Sequence, residues 1–300
     1  MIFYLVLAHN NLDQLELLVK KLKSKNSEIF VHIDKKVKNF TKIKNIHYVK
    51  DRKKILRWWF AMVEAEIAGF RQIFPSMSPW DHVVIISWQC FPVKPVNQIE
   101  RYISDLWNKS CIYYNSVPNK TKWKVEKYHF LDVDFHMPKW FDKFVYTIVD
   151  LFYKKLWKPH RVPVLNGFLY VLMNLILPKR KFLTKKYAIY HWSSRMVLSY
   201  WVIKWVLDFL DSDEWKDVFR HFKMTANPDE VFFQTILLNN KIEGVINETL
   251  WYQIREGKYN NSPRILTIDD YDNILKSNKL FGRKFDLRTD KNIINYLLNL

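Results

Sequence analysis

Glycine is scarce in this chain of 300 residues, which contains 5 glycines. Phosphate-binding loops of the GxGxxG and GxxxxGK[ST] types need glycine where the backbone approaches a phosphate. Neither pattern occurs in the sequence. A bound nucleotide would therefore need charged side chains to neutralise much of its phosphate charge.

Cysteine is scarcer still, with two residues, Cys90 and Cys111. Two cysteines form neither a disulfide framework nor a zinc cluster, and they fit a reducing compartment. The first residues, MIFYLVLAHNN, have no basic region and no small-residue cleavage site. They are predicted to be a buried strand and not a signal peptide. These features favour a cytoplasmic location.

Positive charge and aromatic rings are abundant. The net charge of +18 would suit nucleic acid, an anionic membrane surface or an anionic substrate. No zinc-finger or RNP-type pattern accompanies the basic residues, which disfavours nucleic acid. The 13 Trp, 16 Tyr and 21 Phe supply rings that fill cores and that also stack on sugars.

The first third of the chain alternates short apolar runs with helical spacing of apolar residues. This alternation predicts an open, mostly parallel α/β sheet flanked by helices. The expected strands are 2–8, 29–33, 46–49 and 83–87, and the expected helices are 12–23, 60–74 and 99–107.

Polar residues follow three of these strands directly. Ala8-His9-Asn10, Asp34-Lys35 and the segment from Ser87 to Phe91 occupy the strand ends. Ligands of open α/β sheets bind at the carboxyl ends of the strands. A nucleotide site is therefore expected there, with ordinary strand-ending turns as the alternative.

The chain is interpreted as a single domain in three parts: a nucleotide-binding half (1–107), an aromatic and basic insertion (108–186), and a catalytic and acceptor half (187–300). Within the insertion, residues 162–178 are almost wholly apolar and have basic flanks. A spanning helix needs about 20 apolar residues, so contact with an anionic membrane surface is favoured. A buried hairpin or helix is the alternative. Residues 187–210 are predicted to be helical.

The segment ANPDEVFFQTILLN holds the main candidate for chemistry. Pro228 suits a first helical turn, and Asp229 and Glu230 suit a helix N-terminus through the macrodipole. That structural role is one interpretation. The other is that Glu230 faces a pocket and removes a proton from an attacking hydroxyl, which accelerates a reaction by about 10²–10⁴-fold.

Arg264 and Lys284 form a second pair of candidates. A leaving nucleoside diphosphate accumulates negative charge, which a metal or fixed cations must stabilise. Arg and Lys supply fixed cations, although two solvated basic residues are the simpler interpretation in a chain with 48 of them. Asp132 and Asp134 have the DxD spacing of a manganese site, which is a weaker alternative.

Several of these segments, in this order, resemble the core-2/I-branching β-1,6-N-acetylglucosaminyltransferase family and the related peptide-O-xylosyltransferases. The resemblance rests on YLVLAHNNLDQLELLVKKL, IFVHIDKK, MVEAE after Arg57-Trp58, FPVK, NPDEVFFQTILLN, SPRILT and LFGRKFD. It implies a GT-A-like fold without a metal-binding DxD, and an inverting transfer from a UDP-sugar.

The resemblance also implies roles for single residues. Glu230 corresponds to the family's general base, and Arg264 and Lys284 to its diphosphate-binding cations. The strand-end residues Ala8, His9, Asp34 and Ser87 would hold the donor, and no metal ion or other cofactor is expected. Trp251, Tyr252 and Asp229 are expected to contact the acceptor.

The sequence departs from the family pattern in the pocket near the sugar. Trp58 is followed by Trp59 and Phe60 where relatives have Trp-Gly-Gly, and Trp88 and Cys90 stand where relatives often have a Gly and an Asp. Bulky residues there make the donor uncertain: UDP-GlcNAc leads, with UDP-xylose or another UDP-hexose next. The expected partner is a glycan or a lipid-linked saccharide, on the inner face of a bacterial plasma membrane. A non-catalytic homologue is the remaining alternative.

Overall fold

A computed structural model describes residues 1–55, 60–116, 122–128, 175–256 and 262–300. The strands in these ranges are β1 (Ile2–Ala8), β2 (Ser27–Ile33), β3 (His47–Tyr48), β4 (His82–Ser87), β5 (Cys90–Pro92), β6 (Ser110–Ser116), β7 (Tyr190–Ser199), β8 (Val245–Ile246), β9 (Trp251–Tyr252) and β10 (Phe281–Arg283). The helices there are α1 (Leu12–Leu22), α2 (Ala61–Ile73), α3 (Val96–Ser104), α4 (Trp123–Glu126), α5 (Phe182–Lys186), α6 (Tyr200–Leu210), α7 (Asp213–Phe222), α8 (Phe232–Asn239), α9 (Tyr271–Lys276) and α10 (Lys291–Leu298).

The main sheet has seven strands in the order β3-β2-β1-β4-β7-β6-β8. The first four strands are parallel, β7 is antiparallel to both of its neighbours, and β8 is parallel to β6. The expectation of a mixed α/β fold with a large, mostly parallel sheet flanked by helices is confirmed.

The central strand β1 is buried along its whole length. Successive side chains of a strand point to opposite faces. Phe3, Leu5 and Leu7 accordingly pack in one core cluster, and Tyr4 and Val6 pack in another. A parallel sheet covered by helices on both faces produces this uninterrupted apolar run.

Helices cover the two faces of the sheet in separate groups. Buried residues of α2, α6, α7 and α8 belong to the first cluster, and those of α1, α3 and α10 belong to the second. Helix α2 lies very close to β1, since a Cβ added at Gly69 would come within 2.5 Å of the Leu5 side chain. A glycine at this position permits the close packing.

A second, three-stranded sheet has the order β5-β10-β9. In it, β10 pairs antiparallel with β5, so that Arg283 lies opposite Cys90, and pairs parallel with β9. The short strands gave no clear sequence pattern. Arg283 is the first residue of the RKFD motif, and its pairing with β5 places it close to the end of β4, where the donor site was expected.

Residues 187–210 differ from the helical prediction. The structure has the ten-residue strand β7 followed by helix α6. β7 bridges β4 and β6 by antiparallel pairing, and this tertiary pairing overrides the local pattern. Because Arg195 lies on this strand, its side chain is buried in the interior of the protein.

Much of the predicted insertion, 108–186, lies outside the described residues. Its beginning belongs to the main sheet as β6, and its end forms α5. The apolar segment 162–178 falls almost wholly outside the described ranges, as do Asp132, Asp134, Trp58 and Trp59. Among the described residues, no helix is long and apolar enough to cross a membrane.

Candidate active site

The carboxyl ends of β1, β2 and β4 lie side by side. The Asp34 backbone N–H donates to Ala8 O at 2.8 Å, and the Trp88 N–H donates to Leu7 O at 3.1 Å. The His9 ring makes an edge contact with Trp88, with centroids 5.8 Å apart. The structure therefore brings together the predicted strand-end residues on adjacent parallel strands.

Asp34 is the buried anion of this strand-end group. Its Oδ1 accepts the Lys36 N–H at 2.8 Å, and the Lys36 ammonium lies 3.5 Å from Oδ2. Burial lowers the pKa of His9, and the neighbouring Asp34 opposes that shift. Ser87, at the end of β4, has its hydroxyl 3.4 Å from Cys90 Sγ.

Gln14 ties these strand ends to the RKFD motif. Its side chain is fully buried and donates to Trp88 O at 2.9 Å and to Phe285 O at 3.1 Å. It also accepts the Leu287 N–H at 2.7 Å. One amide on α1 thus satisfies three backbone groups from two distant segments, which fixes both segments against each other.

The two predicted diphosphate-binding cations are neighbours through their backbones. The Lys284 N–H donates to Arg264 O at 3.4 Å, and the Leu266 N–H donates to Lys284 O at 2.7 Å. The Lys284 ammonium donates to the Ser262 hydroxyl. Residues 20 positions apart therefore place two cations on one short stretch of paired backbone.

The guanidinium of Arg264 is oriented by acidic neighbours. It donates to both oxygens of Asp270, at 2.7 and 2.5 Å, and its Nε lies 2.6 Å from Glu256 Oε1. Burial of Asp270 acts to raise its pKa, but the bonds from Arg264 and from the Thr267 N–H hold that pKa below its usual value. Bidentate pairing fixes the plane of the guanidinium.

Glu230 stands on a one-turn 3-10 helix, Pro228–Glu230, and not within α8 as the pattern suggested. Asn227 precedes the turn with a left-handed φ of 50°, a conformation that asparagine tolerates. Its side-chain amide donates to Glu230 Oε2 at 3.3 Å. The Glu230 side chain is half-buried, so it reaches solvent while its position is held.

Asp229 lies within this turn, and three more titratable groups, Glu66, Arg195 and Arg283, lie near it. Burial raises the pKa of Asp229 above its ordinary value. The charges of Arg195 and Arg283 and a hydrogen bond from Ser194 act to lower it, but burial has the larger effect. Burial also raises the pKa of Glu66 well above its ordinary value, with Asp229 adding to the rise and Arg195 opposing it.

Arg283 connects the base to the cations. Burial, and then repulsion from Arg195, lower its pKa to about 10, and Glu230 and Asp229 are among the groups that oppose the shift. Arg283 is followed directly by Lys284. Two adjacent residues, the last of β10 and the one after it, therefore interact with Glu230 and with Arg264 respectively.

Sequence reasoning missed four of these residues: Gln14, Glu66, Arg195 and Arg283. Glu66 shares a helix face with the buried Val63 and Phe70. A charge placed within an apolar face is unusual because burying it is costly. That mismatch was the available signal for Glu66, and the proximity of Arg283 to Lys284 in the RKFD motif was the signal for Arg283.

The two predicted acceptor aromatics differ in exposure. The Trp251 ring is 3% exposed and stacks on Phe281 at 5.2 Å, whereas Tyr252 is half-buried. The pKa of Arg264 is raised mainly by Asp270, and Glu256 and then Tyr252 add to that rise. Only Tyr252 of this pair reaches the surface near the cations. The acceptor roles of Trp251, Tyr252 and Asp229 stay predictions.

The described residues contain no group of three or more His, Cys, Asp or Glu side chains that could hold a metal ion. The site has a half-buried carboxylate, Glu230, and two cations on paired segments, Lys284 directly after β10 and Arg264 on the backbone that pairs with it. A carboxylate can accept a proton from a hydroxyl, and fixed cations can stabilise a leaving phosphate.

Comparison with known proteins relates this arrangement to a family. A pig protein named "Probable beta-1,3-galactosyl-O-glycosyl-glycoprotein beta-1,6-N-acetylglucosaminyltransferase 7" is 26% identical over 136 residues, which cover 42% of this chain and 32% of the relative. The match thus spans about a third of the relative's length. The family model described as Core-2/I-Branching enzyme matches residues 2–274. The chain therefore belongs to the Core-2/I-Branching enzyme family.

Proposed function

We propose that this chain is an inverting, metal-independent glycosyltransferase that moves a sugar from a UDP-sugar to a glycan hydroxyl and forms a β linkage. Membership of the family supports the reaction class. The name of the pig relative specifies N-acetylglucosaminyl transfer, which supports UDP-GlcNAc as the leading donor. UDP-xylose and other UDP-hexoses follow it, because Trp88 and Cys90 depart from the family pattern near the sugar.

In this proposal Glu230 is the general base. Its carboxylate takes the proton of the acceptor hydroxyl while the acceptor oxygen forms a bond to the anomeric carbon of the donor. The bond from that carbon to the diphosphate breaks, and its electron pair leaves with UDP. Attack opposite to the leaving group inverts the anomeric centre.

Arg264 and Lys284 stabilise the charge that develops on the diphosphate. Fixed cations cost no reorganisation as the charge appears, and they take the place that a divalent metal has in other transferases. We place the uridine at the strand ends, with Ala8, His9, Asp34 and Ser87. The acceptor approaches from the side of Tyr252 and Asp229.

One observation carries the proposal: the backbone of Lys284, directly after β10, pairs with that of Arg264, and the preceding residue, Arg283, interacts electrostatically with Glu230. Proton removal and departure of the diphosphate must be concerted in a single displacement. Because Arg283 and Lys284 are adjacent in the chain, the base and the diphosphate site are linked by a single backbone segment, which favours concerted proton removal and diphosphate departure.

We further infer that the acceptor is a bacterial surface glycan or a lipid-linked saccharide, and that the protein works at the inner face of the plasma membrane. The net charge of +18 supports attraction to anionic lipids. Vesicle co-sedimentation with anionic and with zwitterionic lipids checks this part, and equal binding to both would contradict it.

The donor is identified by thermal shift with a panel of UDP-sugars, since a ligand that binds the folded state raises its melting temperature. UDP release is then measured with the stabilising sugar. Glu230→Gln is expected to lose transfer by at least about 10²-fold while it keeps UDP binding. Glu243→Gln, an exposed carboxylate outside the site, is the matched control.

Full activity in Glu230→Gln would remove the central assignment. Transfer is also expected to continue in excess EDTA, and strict dependence on manganese would move the assignment to Asp132 and Asp134. Thermal stabilisation by UDP-sugars without any turnover would favour the non-catalytic homologue.

A further inference from the structure

The turn Pro228–Glu230 packs against α2, β7 and α8, and the first two bring buried charges to it. α2 contributes Glu66, whose side chain is 0% exposed, and β7 contributes Arg195, which is 6% exposed. Helix α8 (FFQTILLN) has no titratable side chain. Arg283 of β10 completes the surroundings through its interactions with Glu230 and Asp229.

These buried groups are incompletely paired within the described part of the chain. Nε and Nη1 of Arg195, Nε of Arg283 and both carboxylate oxygens of Glu66 have no hydrogen-bond partner. Buried polar groups of folded proteins are nearly always hydrogen-bonded, so such exceptions call for an explanation. A cluster of them around the predicted base is typical of functional sites, where stability is given up for chemistry.

The charges of the cluster balance if Glu66 is uncharged. Burial disfavours its ionised form, and Asp229 adds to this effect. The two guanidinium groups of Arg195 and Arg283 then face the two carboxylates of the turn, Asp229 and Glu230. Both arginines interact with Asp229, and Arg283 interacts with Glu230 as well; β7 supplies one of these cations and β10 the other.

We propose that Arg195 is a positioning residue for the transfer reaction: its buried guanidinium attracts Asp229 and thereby sets the position of the adjacent Glu230 carboxylate, which accepts the proton. Asp229 and Glu230 are consecutive residues of a single turn that packs against β7, so an interaction that holds Asp229 also restricts the position of Glu230. Glu66 packs against the same turn from α2. The inference rests on the proposed function, since it assigns Glu230 as the base.

The test compares Arg195→Met with Arg195→Lys. Loss of the cation in Arg195→Met makes protonation of the turn's carboxylates easier, so the acid limb of the kcat profile is expected to move to higher pH. We expect kcat to fall by about 10- to 100-fold through misplacement of the base, with UDP affinity within about twofold. Arg195→Lys keeps the charge without the planar fork, and is expected to keep the acid limb with a partial loss of kcat.

Arg180→Lys is the matched control. Arg180 is half-buried, and it donates to backbone carbonyls of Val125, Lys127, His221 and Met224. Its variant is expected to lower the melting temperature and leave the acid limb in place. If Arg195→Met does not fold, Arg195→Gln and Arg195→Lys, each with a thermal melt, take its place.

An unchanged acid limb in the folded Arg195→Met or Arg195→Gln protein would overturn the inference, whatever happens to kcat, because a purely structural role predicts that result. Glu230→Gln is assayed in parallel. Activity in Glu230→Gln counts against the proposed function, whereas an inactive Glu230→Gln with unshifted Arg195 variants counts against the role of Arg195 alone.

Discussion

The two sides of the candidate site are held by different kinds of interaction. On the donor side, strand ends, Gln14 and the RKFD segment form a network of hydrogen bonds in which Gln14 alone satisfies three backbone groups. On the base side, the buried side chains of Glu66, Arg195 and Arg283 near Asp229 and Glu230 have several polar atoms without hydrogen-bond partners among the described residues. Gln14 thus gives the donor side a satisfied set of backbone hydrogen bonds, whereas buried titratable groups dominate the base side.

Because the two sides differ in this way, substitutions on them are expected to change the stability of the protein in different directions. A satisfied network loses stability when one member is removed, because its partners remain buried and unpaired. A cluster with an uncompensated buried carboxyl gains stability when that group is removed. Substitutions on each side distinguish a loss of stability from a gain of stability.

The largest effect is expected for Lys284→Ala. Loss of one fixed cation removes stabilisation of the leaving diphosphate, and removal of a comparable fixed donor costs about 10²–10³-fold in kcat. UDP-release kinetics measures the loss, and calorimetric titration measures the accompanying drop in UDP affinity. Lys291→Ala, an exposed lysine at the start of α10, is the control. A Lys284→Ala protein with wild-type kinetics would contradict the donor-site assignment.

Gln14→Ala tests the donor-side network. The substitution leaves Trp88 O, Phe285 O and the Leu287 N–H without their partner, which is expected to cost about 2–4 kcal/mol of stability. Urea unfolding measures it. Gln72→Ala provides the comparison, since the half-buried Gln72 joins two backbone groups in the same way, Lys50 N–H and Tyr48 O. Equal losses of unfolding free energy in the two variants would show that Gln14 stabilises the protein no more than the half-buried Gln72 does.

The parts of the site that could be predicted from sequence are those whose residues are close together in the chain. Arg264 follows Ser-Pro, Lys284 lies in a compact motif, and the strand ends come directly after apolar runs. The mostly parallel α/β sheet likewise follows from the local alternation of strands and helices. Such features depend on a few neighbouring residues, which a single sequence displays.

The base side could not be predicted because its partners meet only through tertiary contacts. Arg195 reaches Asp229 because residues 190–199 form β7, where the local pattern favoured a helix. Glu66 on α2 and Arg283 on β10 lie far from the turn in sequence. Their charges become significant only after burial, and burial depends on the whole fold.

Glu66→Gln is expected to act in the opposite sense to Gln14→Ala. The pKa of Glu66 is raised well above its ordinary value by burial, while in the unfolded chain it lies near about 4.3. Between these two values the unfolded state is ionised and the folded state holds a proton. Wild-type stability therefore falls with rising pH in this window, by about 1.4 kcal/mol per pH unit.

The Glu66→Gln protein has no such proton to hold, so its advantage in stability over wild type should grow as the pH rises above the unfolded-state pKa of Glu66. Thermal or urea unfolding at several pH values measures the difference. Glu66→Asp keeps a titrating carboxyl and is expected to keep the slope. Parallel curves for wild type and Glu66→Gln would mean that Glu66 is not held uncharged.

The smallest effect is expected for Glu256→Gln, on the donor side. Glu256 is 62% exposed and lies 2.6 Å from the Arg264 Nε, where it competes with a bound diphosphate for the same guanidinium. Exposed ion pairs contribute at most about 1 kcal/mol, so UDP affinity should rise by no more than about fivefold. Calorimetric titration measures it, with Asp269→Asn as the exposed control. A weaker affinity in Glu256→Gln would show that Glu256 orients Arg264 for the diphosphate, as Asp270 does, and does not compete with it.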